Sequence, residues 1–415
     1  MSPDAATTLN SPLAGLRILD VSMLGPGALG THLADLGADV VKVEPPGGDY
    51  VRNMSWPIID GASLLHWHIS RGKRSITLDL KAPAGVATFL QLAERVDAVV
   101  EAMRPGTLER LGVGYDDLRA VNPGIVMVSI SGFGMTGPYA PMPTHGIAYD
   151  AWAGLVQPAY DDEGFCFIPE HPSVGMHAGP LYGALGLLAG VHRARETGVG
   201  MHLEVAQSDA AAAMDWVRNA AWRAYERPDD EVTGNAADGY ERRAPGTAGM
   251  EEGVRYQMYD SSDGVVLLMA SERKFWRNFC TAIGRPELFE AHPGAEFADH
   301  ARGDKALRAT LRDVFGTRTS AEWVALGIDH DVPIVPVNTP RTIAEDPQFQ
   351  DRLPWTRPAA QGADLLPSPV RVVGGDPLPV GRAPDAGEHT EEVLRDLLGC
   401  DSDQLATLRS TGAFG

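Results

Sequence analysis

Five groups of residues combine types and spacings that could carry chemistry. The first is Gly25-Pro26-Gly27-Ala28-Leu29-Gly30. Between a strand and a helix, such glycines let backbone amides approach a pyrophosphate, and Glu44 at the end of the next strand could take ribose hydroxyls. A tight turn onto a packed helix explains the same residues without a ligand. The second is Arg71-Gly72-Lys73-Arg74, a run of cations at the entry to a strand. Guanidinium groups pair bidentately with phosphate oxygens, although cations also protect a solvated strand edge. Third, Arg104 and Arg110 fall just past the carboxyl end of a strand closing at Glu101, where ligands gather in open α/β sheets. A plain surface role fits them equally well.

The fourth group is Asp161-Asp162-Glu163-Gly164, in a loop between two helices. A carboxylate held in a dry cleft acts as a nucleophile or general base, whereas an acidic run in a loop is ordinarily only solvated. The fifth is His145, just before a helix that opens near Gly146. A neutral imidazole there could take a proton from a carbon acid, or simply make a structural hydrogen bond. His177 carries the same ambiguity. No Ser-His-Asp spacing, P-loop or metal-ligand pattern stands out.

These groups need elements to position them. Leu16–Val21, Asp39–Glu44, Ser75–Leu80, Ala98–Glu101 and Ile125–Ile130 are short apolar runs suited to buried parallel strands. Helical segments alternate with them, at 28–36, 85–96 and 115–121. Alternation of this kind predicts a mostly parallel sheet with helices on both faces. Helices are expected at 146–156, 177–195 and 209–223, with a strand at 201–206. Gly179, Gly183, Gly186 and Gly190 suit the second of these to close packing. Residues 226–254 are polar, rich in Gly and Asp, and read as a linker or mobile loop. Beyond them, 255–259 and 265–270 flank Ser-Ser-Asp-Gly as a hairpin, with helices at 273–283, 305–315 and 321–326. The expected organisation is a Rossmann-like large α/β domain over 1–225, a linker and small α+β domain over 226–330, and a return segment over 331–415. A capped helix is expected from Thr390.

The 415 residues are 44% hydrophobic and carry a formal charge of −20. So acidic a chain argues against a broad nucleic-acid or anionic-membrane surface. Any anionic ligand must be met by a local basic cluster. Cys166, Cys280 and Cys400 have no metal spacing and suit a reducing compartment. The first residues lack a signal-peptide pattern, and no apolar run approaches a membrane span. A cytoplasmic protein is expected.

Six stretches in order then resemble the class III (CaiB/BaiF-type) CoA-transferase superfamily, which includes the α-methylacyl-CoA racemases. They are PLAGLRILDVS, THLADLGADVVKVEPPGGD, RGKRSITLDLKAPAG, RPGTLERLGVGYDDLRAVNPGIVMVSISGFGMTGPY, ETGVGMHLEV and GEHTEEVLRDLLG. The resemblance implies an interlocked homodimer and coenzyme A as acyl-CoA co-substrate, with no nicotinamide and no metal. It implies that CoA lies against loops carrying Arg71, Lys73, Arg74, Arg104 and Arg110. Transferases of this family use an aspartate in a TGxxDG-like stretch, and ungapped counting places Glu163 there, with Asp162 adjacent. Racemases pair a histidine, here His145, with a later aspartate, and that position is Met176. Three functions follow from the resemblance. One is CoA transfer from an acyl-CoA to a carboxylic acid through Glu163 or Asp162. The second is α-carbon epimerisation with His145 as base. The third is a CoA-binding subunit without its own catalysis, working in a heteromer.

Overall fold

A computed structural model describes residues 11–234, 240–242, 250–296, 299–360 and 362–414. The chain divides into two compact units, 1–215 with 350–415, and 216–349. The first division comes earlier than residue 225 and the second later than residue 330. Part of the stretch read as a linker, 235–239 and 243–249, lies outside the described residues.

The first unit is built on a six-stranded parallel sheet. Its strands are β1 (Arg17–Asp20), β2 (Asp39–Glu44), β3 (Arg74–Thr77), β4 (Ala98–Glu101), β5 (Val126–Ser131) and β8 (His202–Ala206), in the order β8-β5-β4-β1-β2-β3. Between β5 and β8 the chain makes a small hairpin, β6 (Ala159–Tyr160) with β7 (Cys166–Phe167). Side chains of the strands alternate between two cores, as the pleat requires. Leu19, Val41, Val99 and Met127 face one core, and Ile18, Val40, Val100 and Val128 face the other. Helices α1 (Ala28–Ala34) and α7 (Val174–Thr197) cover the second face through Leu29, Leu33, Leu187 and Val191. The first face is covered by α3 (Pro83–Ala93), α4 (Thr107–Leu111), α5 (Tyr115–Val121) and two C-terminal helices, α13 (Thr390–Leu398) and α14 (Ser402–Ser410). The remaining helices of this unit that bear on the site are α2 (Leu64–Ile69), α6 (Ile147–Trp152) and α8 (Gln207–Met214).

α7 is long and apolar enough to cross a membrane, contrary to the sequence expectation. Its small residues account for its place in this fold. A methyl group added at Gly183 would come 2.6 Å from Leu29 Cδ1, and one at Gly190 would come 2.9 Å from Val126 Cγ1. The helix backbone therefore lies directly on α1 and β5, an approach only glycine permits.

Two helix expectations change. The single helix expected at 209–223 is two, α8 and α9 (Trp216–Tyr225), with Asp215 out of helical conformation between them. α8 buries Ala210 and Ala211, and α9 has no buried residue among its own. The cap expected at Thr390 is also different. Neither His389 nor Thr390 caps α13; Thr390 Oγ1 accepts from Thr77 N at 3.1 Å and His389 Nδ1 accepts from Ser75 N at 3.2 Å. Edge strand β3 thereby finds partners for two N–H groups that would otherwise lie open.

The second unit contains a three-stranded antiparallel sheet, β9 (Tyr256–Asp260), β10 (Val265–Met269) and β11 (Ile334–Pro336). Its helices α10 (Arg273–Ala282), α11 (Lys305–Phe315) and α12 (Ser320–His330) enclose a core of stacked rings, Tyr259, Phe279, Phe315 and Trp323. Ring pairs of this kind add about 0.5–1.5 kcal/mol each beyond their burial.

Candidate active site

The strand order reverses between β1 and β4, and the loops leaving their carboxyl ends diverge there. A crevice at such a point is the usual ligand site of an open α/β sheet. Here the loops after β1, β4 and β5, with the start of α8, line a cleft of ≈ 490 Å³. Leu24, in the loop after β1, has φ 58°. A left-handed backbone at a branched apolar residue costs about 1–3 kcal/mol and persists only where surrounding bonds enforce it. Those bonds lie directly beneath. Asp20 accepts from Ser22 N, Lys73 Nζ bonds Asp20 Oδ2 at 2.7 Å and Gly27 O at 2.6 Å, and Lys42 bonds Ser22 O. Burial by itself would raise the Asp20 pKa, but Lys73 and Lys42 hold it below the ordinary value.

This geometry separates the five basic candidates. Arg71 is buried and forks onto Asp35 at 3.0 and 2.7 Å, also bonding His68 O. Lys73 is committed to Asp20. Arg74 forks onto Asp39 and reaches Asp396 on α13. Arg104 and Arg110 are exposed and form no ion pair among the described residues; Arg110 donates only to Thr107 Oγ1 at 2.9 Å. Arg104 lines the cleft. Its loop is pinned by Glu101, whose Oε2 accepts from Met103 N at 2.7 Å. Burial raises the Glu101 pKa despite its bond from Ser129, whose hydroxyl also meets His202 Nε2 at 2.8 Å.

His145 lies in the same cleft as Arg104, at the exposed side, one residue before the cap of α6. Met176 lines it too, packed so closely on the Gly25 turn that a methyl group at Gly25 would meet Met176 Cγ at 2.6 Å. The GPG segment is thus a seat for α7. Deeper in, α6 sends Asp150 across to α7, where its Oδ1 accepts from Gly175 N at 2.8 Å. Ser173, the residue in cap position, makes no such bond. A carboxylate from another helix therefore satisfies the exposed amides and positive end of α7. Gln207 is 3% exposed and lines the cleft from the start of α8. Asp150 Oδ2 and Gln207 Oε1 are buried and receive no hydrogen bond.

Asp162 and Glu163 stand on the exposed turn of the β6–β7 hairpin. Asp161 shapes that turn, its Oδ1 accepting from Glu163 N at 3.0 Å and Phe165 N at 2.8 Å, and Gly164 has φ 85°. Neither carboxylate lines the cleft of His145 and Arg104. Among the described residues no group of three or more His, Cys, Asp or Glu is placed to hold a metal.

Sequence reasoning passed over Asp150 and Gln207. Asp150 left one signal, a carboxylate inside the otherwise apolar stretch Ile147–Trp152. Gln207 left another, a polar residue directly after a strand's carboxyl end.

Fold and cleft together define an open α/β protein with a cleft at the switch point of its parallel sheet, lined by Arg104, which is exposed and forms no ion pair among the described residues. Residues 13–390 match CoA-transferase family III, and the chain belongs to that family. It is 32% identical to the succinyl-CoA:mesaconate CoA-transferase of Haloarcula hispanica, over 92% of this chain and 95% of that one. It is 29% identical to the succinyl-CoA–L-malate CoA-transferase beta subunit of Chloroflexus aurantiacus, over 97% and 98%. Among solved structures, a CaiB/BaiF family protein from Brucella suis superposes with TM-score 0.73 at 27% identity, covering 94% of this chain and all of that one. Rv3272 from Mycobacterium tuberculosis does so with TM-score 0.73 at 26% identity, covering 92% and 98%.

Proposed function

We propose that this chain moves CoA from an acyl-CoA to a free carboxylic acid through an enzyme carboxylate, Glu163 first and Asp162 next. The observation that carries the reading is the family match over 13–390, with relatives named for CoA transfer aligned along nearly their whole lengths. In the proposed sequence a carboxylate oxygen attacks the thioester carbonyl, the C–S bond breaks, and CoA leaves as thiolate. The thiolate then attacks the enzyme's own carbonyl, releasing the donor acid and leaving an enzyme–CoA thioester. An acceptor carboxylate reverses the sequence. Arg104 and Arg110 would meet the CoA phosphates, since neither has an acidic partner among the described residues. Arg71, Lys73 and Arg74, already paired, would act by fixing the loops beside them.

The epimerisation reading has His145 in the cleft, but the residue beside it is Met176, which carries no proton, and no acidic residue lines the cleft among those described. The family match over 13–390 is what favours transfer. A cytoplasmic homodimer is the proposed working form, and the exposed Trp216, Val217 and Trp222 of α9 are consistent with an oligomer. A heteromer is the alternative, as one relative is named as a beta subunit.

Intact-mass analysis after incubation with acyl-CoA tests the nucleophile. The wild-type protein should gain the mass of CoA less water, on the peptide carrying Glu163. Glu163→Gln should lower transfer about 10²-fold or more, the scale on which misplaced reacting groups act. If Glu163→Gln and Asp162→Asn both leave transfer intact, the nucleophile lies elsewhere. If deuterium enters the α-carbon from deuterated water with no acceptor present, epimerisation displaces transfer.

A further inference from the structure

The inner end of the cleft has a chemistry unlike its mouth. At the mouth are exposed Arg104 and His145, with Tyr50 and Met54 about half exposed. Inside are Ile130, Tyr149 and Gln207, none more than 6% exposed. Gln207 is built in. A methyl group at Gly179 would meet Gln207 Cγ at 2.7 Å, and one at Gly175 would meet Gln207 O at 3.1 Å. Both glycines of α7 therefore make room for this residue.

Two buried acceptors are without a donor here, Gln207 Oε1 on a residue that lines the cleft and Asp150 Oδ2 on the helix that carries Tyr149. A buried acceptor without a donor costs about 1–3 kcal/mol. A ligand that supplies a donor recovers that cost, whereas one bringing another acceptor adds to it. A second carboxylate on the acyl group would bring only acceptors, and Gly175 N at the start of α7 already donates to Asp150 Oδ1. An ammonium would lose its hydration in an apolar pocket shared with Arg104.

We infer that the inner cleft selects an acyl group that is uncharged and carries a hydroxyl, with Gln207 as the residue that reads it. This rests on the CoA-transfer reading and names the class of acyl group for the cleft that holds His145 and Arg104. It sets the chain apart from relatives named for dicarboxylates.

Calorimetric titration of the full chain with four-carbon CoA thioesters tests it without requiring turnover. The probes are butyryl-CoA, succinyl-CoA, and 2- and 3-hydroxybutyryl-CoA in both enantiomers. One hydroxylated thioester should bind about fivefold or more tighter than butyryl-CoA, the scale of one net hydrogen bond. Succinyl-CoA should bind weakest. Gln207→Leu, close in size, should abolish the affinity difference between the hydroxylated thioesters and butyryl-CoA measured on the same variant. Succinyl-CoA binding tightest, or no hydroxylated thioester exceeding butyryl-CoA, overturns the inference and leaves the CoA reading standing. A hydroxyl advantage that survives in Gln207→Leu removes Gln207 from the role. Failure of all the thioesters to bind overturns both.

Discussion

The two halves of the sheet's carboxyl edge treat charge in opposite ways. Around β1, β2 and β3, ions are matched with partners: Lys73 with Asp20, Lys42 with Asp49 and Arg52 with Glu44, and, ahead of β3 and β2, Arg71 with Asp35. Across the switch point, Arg104 and Arg110 form no ion pair among the described residues, and Gln207 and Asp150 each hold an acceptor with no donor, whereas the buried Asp49 Oδ2 has Lys42 Nζ at 3.0 Å. Basic character alone therefore does not mark a phosphate site. A cation already satisfied inside the protein holds shape, and one left unsatisfied is available to a ligand.

Breaking the paired side should have the largest effect. Lys73→Met leaves Asp20 buried without its counter-charge, and removal of one partner of a buried pair costs about 3–5 kcal/mol. Urea denaturation should show that loss; a change below about 1 kcal/mol would mean the pair is not structural. Acidification should act next. Burial first, then nearby cations, hold His32, His66 and His68 down to about 4. Glu44 sits at about 2, because bonds from Arg52 and Ser75 outweigh the burial that would raise it. The unfolded chain binds more protons than the fold in both windows, so stability falls as pH drops. The histidine contribution is lost from about 6.5 to 4 and the Glu44 contribution from about 4.5 to 2, at roughly 1–3 kcal/mol each. Melting temperature followed from pH 8 to pH 4 checks the first window, and a flat profile would contradict it. The unpaired side should respond least in stability. Arg104→Ala and Arg110→Ala should change unfolding free energy by about 0.5 kcal/mol or less yet weaken CoA about tenfold, the scale of one charged hydrogen bond. Arg71→Ala should do the reverse, and equal effects of all three on CoA binding would erase the distinction between the halves.

Much of the fold is legible in the sequence because buried parallel strands are short apolar runs. Asp39–Glu44, Ala98–Glu101 and Tyr115–Val121 have the boundaries that hydrophobic pattern gives them. The site is less legible for a physical reason. Whether Arg71 is free depends on Asp35, and whether Arg74 is free depends on Asp39 and Asp396, partners that the fold supplies from far along the chain. A local run of cations carries no trace of them. The break after α8 is similar, since alanine-rich composition continues through it and only packing ends the helix. His145 was recognisable from its neighbours, whereas Gln207 gains its meaning from two glycines on another helix.

The closure of one sheet face by α13 and α14 has a consequence for how the protein is made. Val393, Leu394, Leu397 and Leu405 belong to the same core as strands synthesised from residue 17 onward. The ribosome therefore releases the sheet with that face covered only by α3, α4 and α5, and the second unit, 216–349, can assemble while the first still waits. Completion of the larger unit waits for residues 390–410, so a chain stopped before them would keep the whole cleft sequence and still present part of an apolar sheet face to chaperones.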